Sequence, residues 1–179
     1  MMITEEQKDL LKQYKEKAFI SSVLAEESYN YYNFVKNLIN VPLIICNSVM
    51  VCINGSIEDQ NTLKILNIIL NSSTGLILSF ISNFKIYEHI SQYHQLQIKF
   101  NKLSHLIDGK ITNEIDNINI DFIQNIIEDY DGICESQEFA FPNKIKNRIK
   151  NQYINKMSLP SSLSADIVEC KTKGLCCKV

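Results

Sequence analysis

A chain of 179 residues with 45% hydrophobic content suits one domain with a core of its own. Its mean hydropathy of −0.08 is low for a polytopic membrane protein, which leaves at most one hairpin for lipid. A net charge of −2 gives no global pull toward nucleic acid, and the Ile-, Asn- and Lys-rich composition matches an AT-rich coding genome.

The polar opening, MMITEEQKDLLKQYKEK, has neither a signal sequence nor an arginine-rich transit peptide. Thr4 and Gln7 form the outline of a capping box that starts a long N-terminal helix. Leu11, Tyr14, Ala18, Ser21, Ala25, Ser28, Tyr32, Val35 and Ile39 then step alternately by three and four. This coiled-coil-like seam is made largely of small residues, which lets a partner helix approach closely and predicts a homo-oligomer. Tyr29, Tyr31 and Tyr32 stand where aromatic rings sit well at a membrane interface. An ordinary amphipathic helix with tyrosines at its core edge explains them too.

The seam leads into LINVPLIICNSVMVCI (Leu38 to Ile53), which has no charged residue. The polar stretch NGSIEDQNT follows, with Asn-Gly turn chemistry and the acids Glu58 and Asp59. A second apolar run, LKILNIILNSSTGLILSFI (Leu63 to Ile81), carries only Lys64. This is a helical hairpin. A span needs about 20 residues. Reaching back to Phe34 and forward to Ser82 supplies them, with Lys36 close enough to the end to snorkel. The apolar residues of the first run contribute roughly −3 to −6 kcal/mol on the insertion scale. Pro42, Asn40, Asn47 and Ser48 oppose them, as do Asn67, Asn71, Ser72, Ser73, Thr74 and Gly75 in the second run. Asn47, Asn67, Asn71, Ser72 and Thr74 are the candidate pore-lining or interhelical polar groups, since an amide in lipid needs a partner. The alternative is a buried core hairpin over 38–81 in a soluble bundle.

The helical pattern continues after the second run without a break. Ile86, Ile90, Tyr93, Leu96, Phe100, Leu103 and Ile107 mark a long helix that Asp108-Gly109 ends. After an Asn-rich loop, Ile118, Phe122, Ile126, Ile127 and Tyr130 give an acidic amphipathic helix. Pro142 opens a last one, PNKIKNRIKNQYINK, whose basic residues Lys144, Lys146, Arg148 and Lys150 face Ile145 and Ile149. Such a helix can lie on an anionic membrane surface, or pack with a solvated basic face. The tail over 157–179 reads as flexible. Cys176 and Cys177 near its end are candidate lipidation sites; Lys178 disfavours prenylation and leaves palmitoylation beside unmodified thiols.

No phosphate loop, dinucleotide fingerprint, nucleophile elbow or zinc spacing occurs in the sequence. His89 and His94 are five apart, where metal pairs on a helix prefer three or four. The reading is of a non-enzyme with no cofactor and no metal.

The order of features resembles the SLATT family of two-span membrane effector domains. The resemblance rests on Pro42 early in the first run, Gly55 in the turn, and LSFISNFKIYEH with His89 after the second. FNKLSHLI, the Glu128-Asp129-Tyr130 triplet and Pro142 complete it over roughly residues 5 to 155. The Asn-rich runs depart from the family pattern, and the expectation is of a chain without a fused nucleotide-sensing domain. The resemblance implies a pore-forming or membrane-perturbing effector, and family members also occur in large DNA viruses. A structural membrane protein of a viral particle is the other role it leaves open. The expectation is therefore an all-α protein. A long N-terminal helix, a transmembrane hairpin at about 34–82, a long helix and two shorter amphipathic helices form one domain over 1–156. Acids in the hairpin loop and Lys36, Lys85, Lys99 and Lys102 outside it place both termini in the cytoplasm.

Overall fold

The computed structural model describes residues 4–56, 60–114, 118–154 and 156–163. They form five helices, α1 (Glu5–Ser56), α2 (Gln60–Asn83), α3 (Ile86–Glu114), α4 (Ile120–Glu135) and α5 (Asn143–Tyr153), and no strand occurs among them. The architecture is all-α in the expected order. The chain divides into two compact units, with boundaries inside α1 and inside α3. One unit comprises the chain up to Ser28 together with Gln92 onward. The other is Tyr29–Ser91.

The first unit is a helical bundle with a packed core. Its first helix starts at the capping box: the Thr4 N–H donates to Gln7 Oε1 at 3.0 Å, and the Gln7 N–H donates to Thr4 Oγ1 at 3.3 Å. The α1 seam is buried there, with Leu11, Ala18, Ser21, Ala25 and Ser28 at most 3% exposed. Tyr93, Leu96, Phe100, Leu103 and Ile107 of α3 are buried as well, as are Ile123, Ile126 and Tyr130 of α4 and Ile145 and Ile149 of α5. Tyr14 meets Tyr130 edge-on at 5.4 Å, and Phe19 meets Tyr153 at 6.4 Å. Lys15 pairs with Asp108, and Arg148 pairs with Glu27. The small seam is thus covered by the chain's own helices. The expectation that it awaits a second copy is corrected: small side chains at Ala18, Ser21 and Ala25 admit close neighbours from within the bundle.

Several boundaries also differ from expectation. Gly109 does not end α3, which continues to Glu114. A helical glycine costs only about 1 kcal/mol relative to alanine, too little by itself to stop a helix of this length. Pro142 is the N-cap of α5, with φ −58 and ψ 130, one residue before the first turn. Its carbonyl accepts from the N–H groups of Ile145 and Lys146 at 2.9 and 3.0 Å. The segment after α5 is held through Leu163, not free from Met157. Pro160 and Leu163 are fully buried, and the Ser158 N–H donates to Glu16 Oε2 at 2.8 Å.

The second unit contains the C-terminal half of α1, all of α2 and the start of α3. Asn54 and Gly55, expected in a turn, belong to the last turn of α1, which runs to Ser56. Pro42 lies inside the same helix. It removes one N–H from the helical ladder without ending it. Between α2 and α3 the expected continuity fails. The Phe84 N–H still reaches Phe80 O at 2.9 Å, but Lys85 turns left-handed at φ 50 and its N–H bonds Ser82 O at 3.0 Å. A new ladder then starts with the His89 N–H on Lys85 O at 3.0 Å. No glycine or proline marks this break, so the sequence pattern passed over it.

Candidate functional site

The hairpin of the second unit holds the candidate polar residues Asn47, Asn67, Asn71, Ser72 and Thr74. Its helices α1 and α2 run antiparallel. Close to the C-terminal end of α1 the Asn67 Nδ2 donates to Asn54 Oδ1 at 3.2 Å, and at the open end the Asn40 Nδ2 donates to Tyr87 Oη, in the first turn of α3, at 3.2 Å. Half-buried or buried residues form one inner stripe on each helix. Ile39, Leu43, Met50 and Ile53 line it on α1, and Leu63, Leu70, Thr74, Ile77 and Ile81 line it on α2. The three- and four-residue steps of both stripes are those of paired helices.

The outer surface is apolar and open. Phe34, Leu38, Ile44, Val51, Leu76 and Phe80 are 60–74% exposed. Each of the two helical runs contains an 18-residue stretch apolar enough to cross a membrane, and only 6% of each stretch is buried. The hairpin surface over 38–81 is therefore left largely uncovered by the described residues of this chain. Two helices are simply too few to bury a surface that is apolar on every side.

The open end of the hairpin carries an aromatic and cationic collar. Tyr31, Phe84 and Tyr87 are exposed there, beside Lys36 and Lys85. Tyr32 stacks on His89 with ring centroids 4.4 Å apart and planes 11° apart. Burial lowers the His89 imidazole below the usual histidine range; Glu88 opposes this and Lys85 adds to it. Lys85 and Glu88 lie 3.4 Å apart as an exposed ion pair.

The candidate polar residues separate into three environments. Asn67 is paired with Asn54, which the sequence reading missed, and Thr74 lies half-buried in the inner stripe. Asn47, Asn71 and Ser72 are exposed, and their side chains make no hydrogen bond among the described residues. Ser48 and Ser73 satisfy themselves on Ile44 O and Ile69 O at 2.8 Å each. The spacing that would have found Asn54 is the seven-residue repeat Asn40, Asn47, Asn54.

The basic residues of α5 are elsewhere, in the bundle. Ile145 and Ile149 are buried, so the apolar face is occupied and only the opposite face is available to a membrane surface. Lys144 is exposed, Lys150 is half-buried, Lys146 has a partner and Arg148 pairs with Glu27. Cys176 and Cys177 lie outside the described residues. Among the described residues no group of three His, Cys, Asp or Glu side chains could hold a metal ion. No protein-family model matches the chain, and no curated protein or solved structure matches it either.

Proposed function

We propose that the chain is a two-span integral membrane protein whose hairpin at about 34–82 lies in lipid. It oligomerises there and acts as a pore-forming effector or as a membrane scaffold. One observation carries the reading: the two apolar stretches long enough to span are only 6% buried each, whereas the other unit buries its own core. In water such a surface would exceed the few hundred Å² of apolar patch that a soluble monomer tolerates. In lipid it needs no cover, and both helices satisfy their backbone groups internally. Each helix rises ~1.5 Å per residue, so 34–53 and 63–82 each span about 30 Å, the thickness of the hydrocarbon. The collar of Tyr31, Tyr87, Lys36 and Lys85 suits one interface. The effector role rests on the SLATT resemblance, and the cytoplasmic assignment of both termini rests on the charge asymmetry.

Alkaline carbonate extraction tests the membrane reading. The chain should stay with the membrane pellet; release into the supernatant would overturn it. In that case the hairpin must be covered by a soluble partner, and the chain is an interaction or structural protein. Dye leakage from liposomes separates the two membrane roles. Leakage that Asn71→Leu reduces supports a pore, and none from the parent at any density leaves the scaffold. Topology is read with a cysteine at Gly55, which should be labelled only from the outer or lumenal side.

A further inference from the structure

The asparagine amides of the hairpin are not scattered over it. At 100° per residue, Asn40, Asn47 and Asn54 fall on one flank of α1, drifting only ~20° per heptad. On α2, Asn67 and Asn71 lie one turn apart on one flank. The Asn67–Asn54 hydrogen bond fixes these as the same side of the hairpin. For antiparallel helices, residues displaced in the same rotational sense from the facing stripes emerge on one side, so Asn47 and Asn71 share it. Counted from the Asn54–Asn67 contact, Asn47 lies about 10 Å and Asn71 about 6 Å toward the open end. They are within a single turn of each other in depth.

The ladder is closed at its two ends, by Asn67 on Asn54 and by Asn40 on Tyr87. Its middle is open: Asn47 and Asn71 are exposed with no side-chain hydrogen bond among the described residues. We infer that this flank is the self-association surface of the hairpin, and that the Asn47 and Asn71 amides pair with those of a second copy. The inference rests on the membrane reading and deepens it by naming the face. An amide carries both donors and an acceptor, so identical copies are complementary without any further group. Lipid supplies neither, and an amide facing acyl chains is costly. Water in a lumen would also satisfy them, but then the flanks of neighbouring copies face the lumen and do not touch.

The test is oxidative cross-linking of the full chain in membranes, with all six native cysteines replaced by alanine. A reporter at Val51→Cys lies one turn from Asn47 on the amide flank, and a control at Val49→Cys lies on the opposite flank. Both positions are exposed. Val51→Cys should form the disulfide dimer and Val49→Cys should not. Adding Asn47→Leu with Asn71→Leu should abolish the Val51→Cys dimer while the chain stays in the carbonate pellet; Asn47→Gln with Asn71→Gln should keep it. Equal cross-linking at both reporters, none at Val51→Cys, or a dimer that survives the leucine pair would overturn the proposal. Carbonate release of the parent is a separate failure, that of the membrane reading, which the pellet reports independently of the disulfide.

Discussion

Isoleucine behaves in opposite ways in the two units of this chain. In α4, Ile123 and Ile126 are 6% and 2% exposed, whereas Ile65, Ile68 and Ile69 of α2 are 57–59% exposed. The difference is arrangement and not content. On α4, Ile123, Ile126 and Tyr130 share one buried stripe, with Asp121, Glu128, Asp129 and Asp131 away from it, so one buried face satisfies the helix. On α2 the apolar residues encircle the axis, and no single neighbour can cover them. Burying a side chain of this size is worth about 1.5–3 kcal/mol, which the bundle collects internally and the hairpin leaves to its surroundings. The stability of the bundle and the placement of the hairpin are therefore separable properties.

The largest effect that tests this separation is cavity formation. Phe100 is 2% exposed and packs on Tyr130 with ring centroids 5.7 Å apart. Phe100→Ala should cost the bundle about 3–5 kcal/mol. Ile44→Ala on the outer face of the hairpin should move the same unfolding midpoint by no more than about 0.5 kcal/mol. Denaturant titration in mild detergent, followed by tyrosine fluorescence, reads both. Comparable losses would show that the hairpin surface is covered by the chain itself.

Overpacking gives the next effect. Ala25 is fully buried in the bundle, so Ala25→Leu should destabilise it by about 1–3 kcal/mol. Lys17, which lies 4.9 Å from the Tyr14 ring centre, loses only a cation–π contact in Lys17→Leu, worth below about 1 kcal/mol. An Ala25→Leu chain with an unchanged midpoint and an altered cross-linking pattern would return the seam to an intermolecular role.

The seam shows what a single sequence carries and what it leaves out. The three-four spacing of Leu11, Ala18, Ser21, Ala25 and Ser28 marks a buried line, and the line is buried. Spacing says nothing of which helix covers it, because a helix of the same chain and one of another chain present the same surface. The polar residues of the hairpin follow the same logic. Composition singled out Asn47, Asn67 and Asn71, but the Asn67 bond depends on Asn54, whose Asn-Gly context reads as a turn until α1 is seen to continue through it. The break at Phe84–Lys85 was illegible for a simpler reason. Its residues are ordinary helix formers, and only the backbone reveals it.

Titration of the bundle gives a smaller, graded effect. Burial, and next the Cys134 thiol, push the Tyr130 hydroxyl above its ordinary value of 10.0. Burial likewise raises Tyr14, with Asp131 adding to the shift. A folded-state pKa raised above the unfolded one means that the unfolded chain loses its proton first. The contribution is therefore fully present below pH 10.0 and is lost as pH rises through the folded value. Each such group steepens the decline by at most about 1.4 kcal/mol per pH unit. Unfolding midpoints measured across this alkaline range should fall less steeply in Tyr130→Phe than in the parent. Equal slopes would remove Tyr130 from the account.

The smallest effect belongs to the hairpin unit, at the left-handed residue between α2 and α3. Lys85 holds φ 50, a conformation that costs an L-residue with a Cβ roughly 1–2 kcal/mol. Glycine adopts it without that cost but loses more chain entropy on folding. The ion pair between Lys85 and Glu88 is exposed on both sides and adds little. Lys85→Gly should thus stabilise the first turn of α3 by up to about 1 kcal/mol, and Lys85→Val should destabilise it, since a β-branched side chain tolerates this region poorly. Amide hydrogen exchange at His89, whose N–H bonds the Lys85 carbonyl across the break, reports the change locally. Slower exchange in Lys85→Gly and faster exchange in Lys85→Val are the expected pair. The reverse order would mean that the two helices join through an ordinary right-handed turn, and that the bend has another origin.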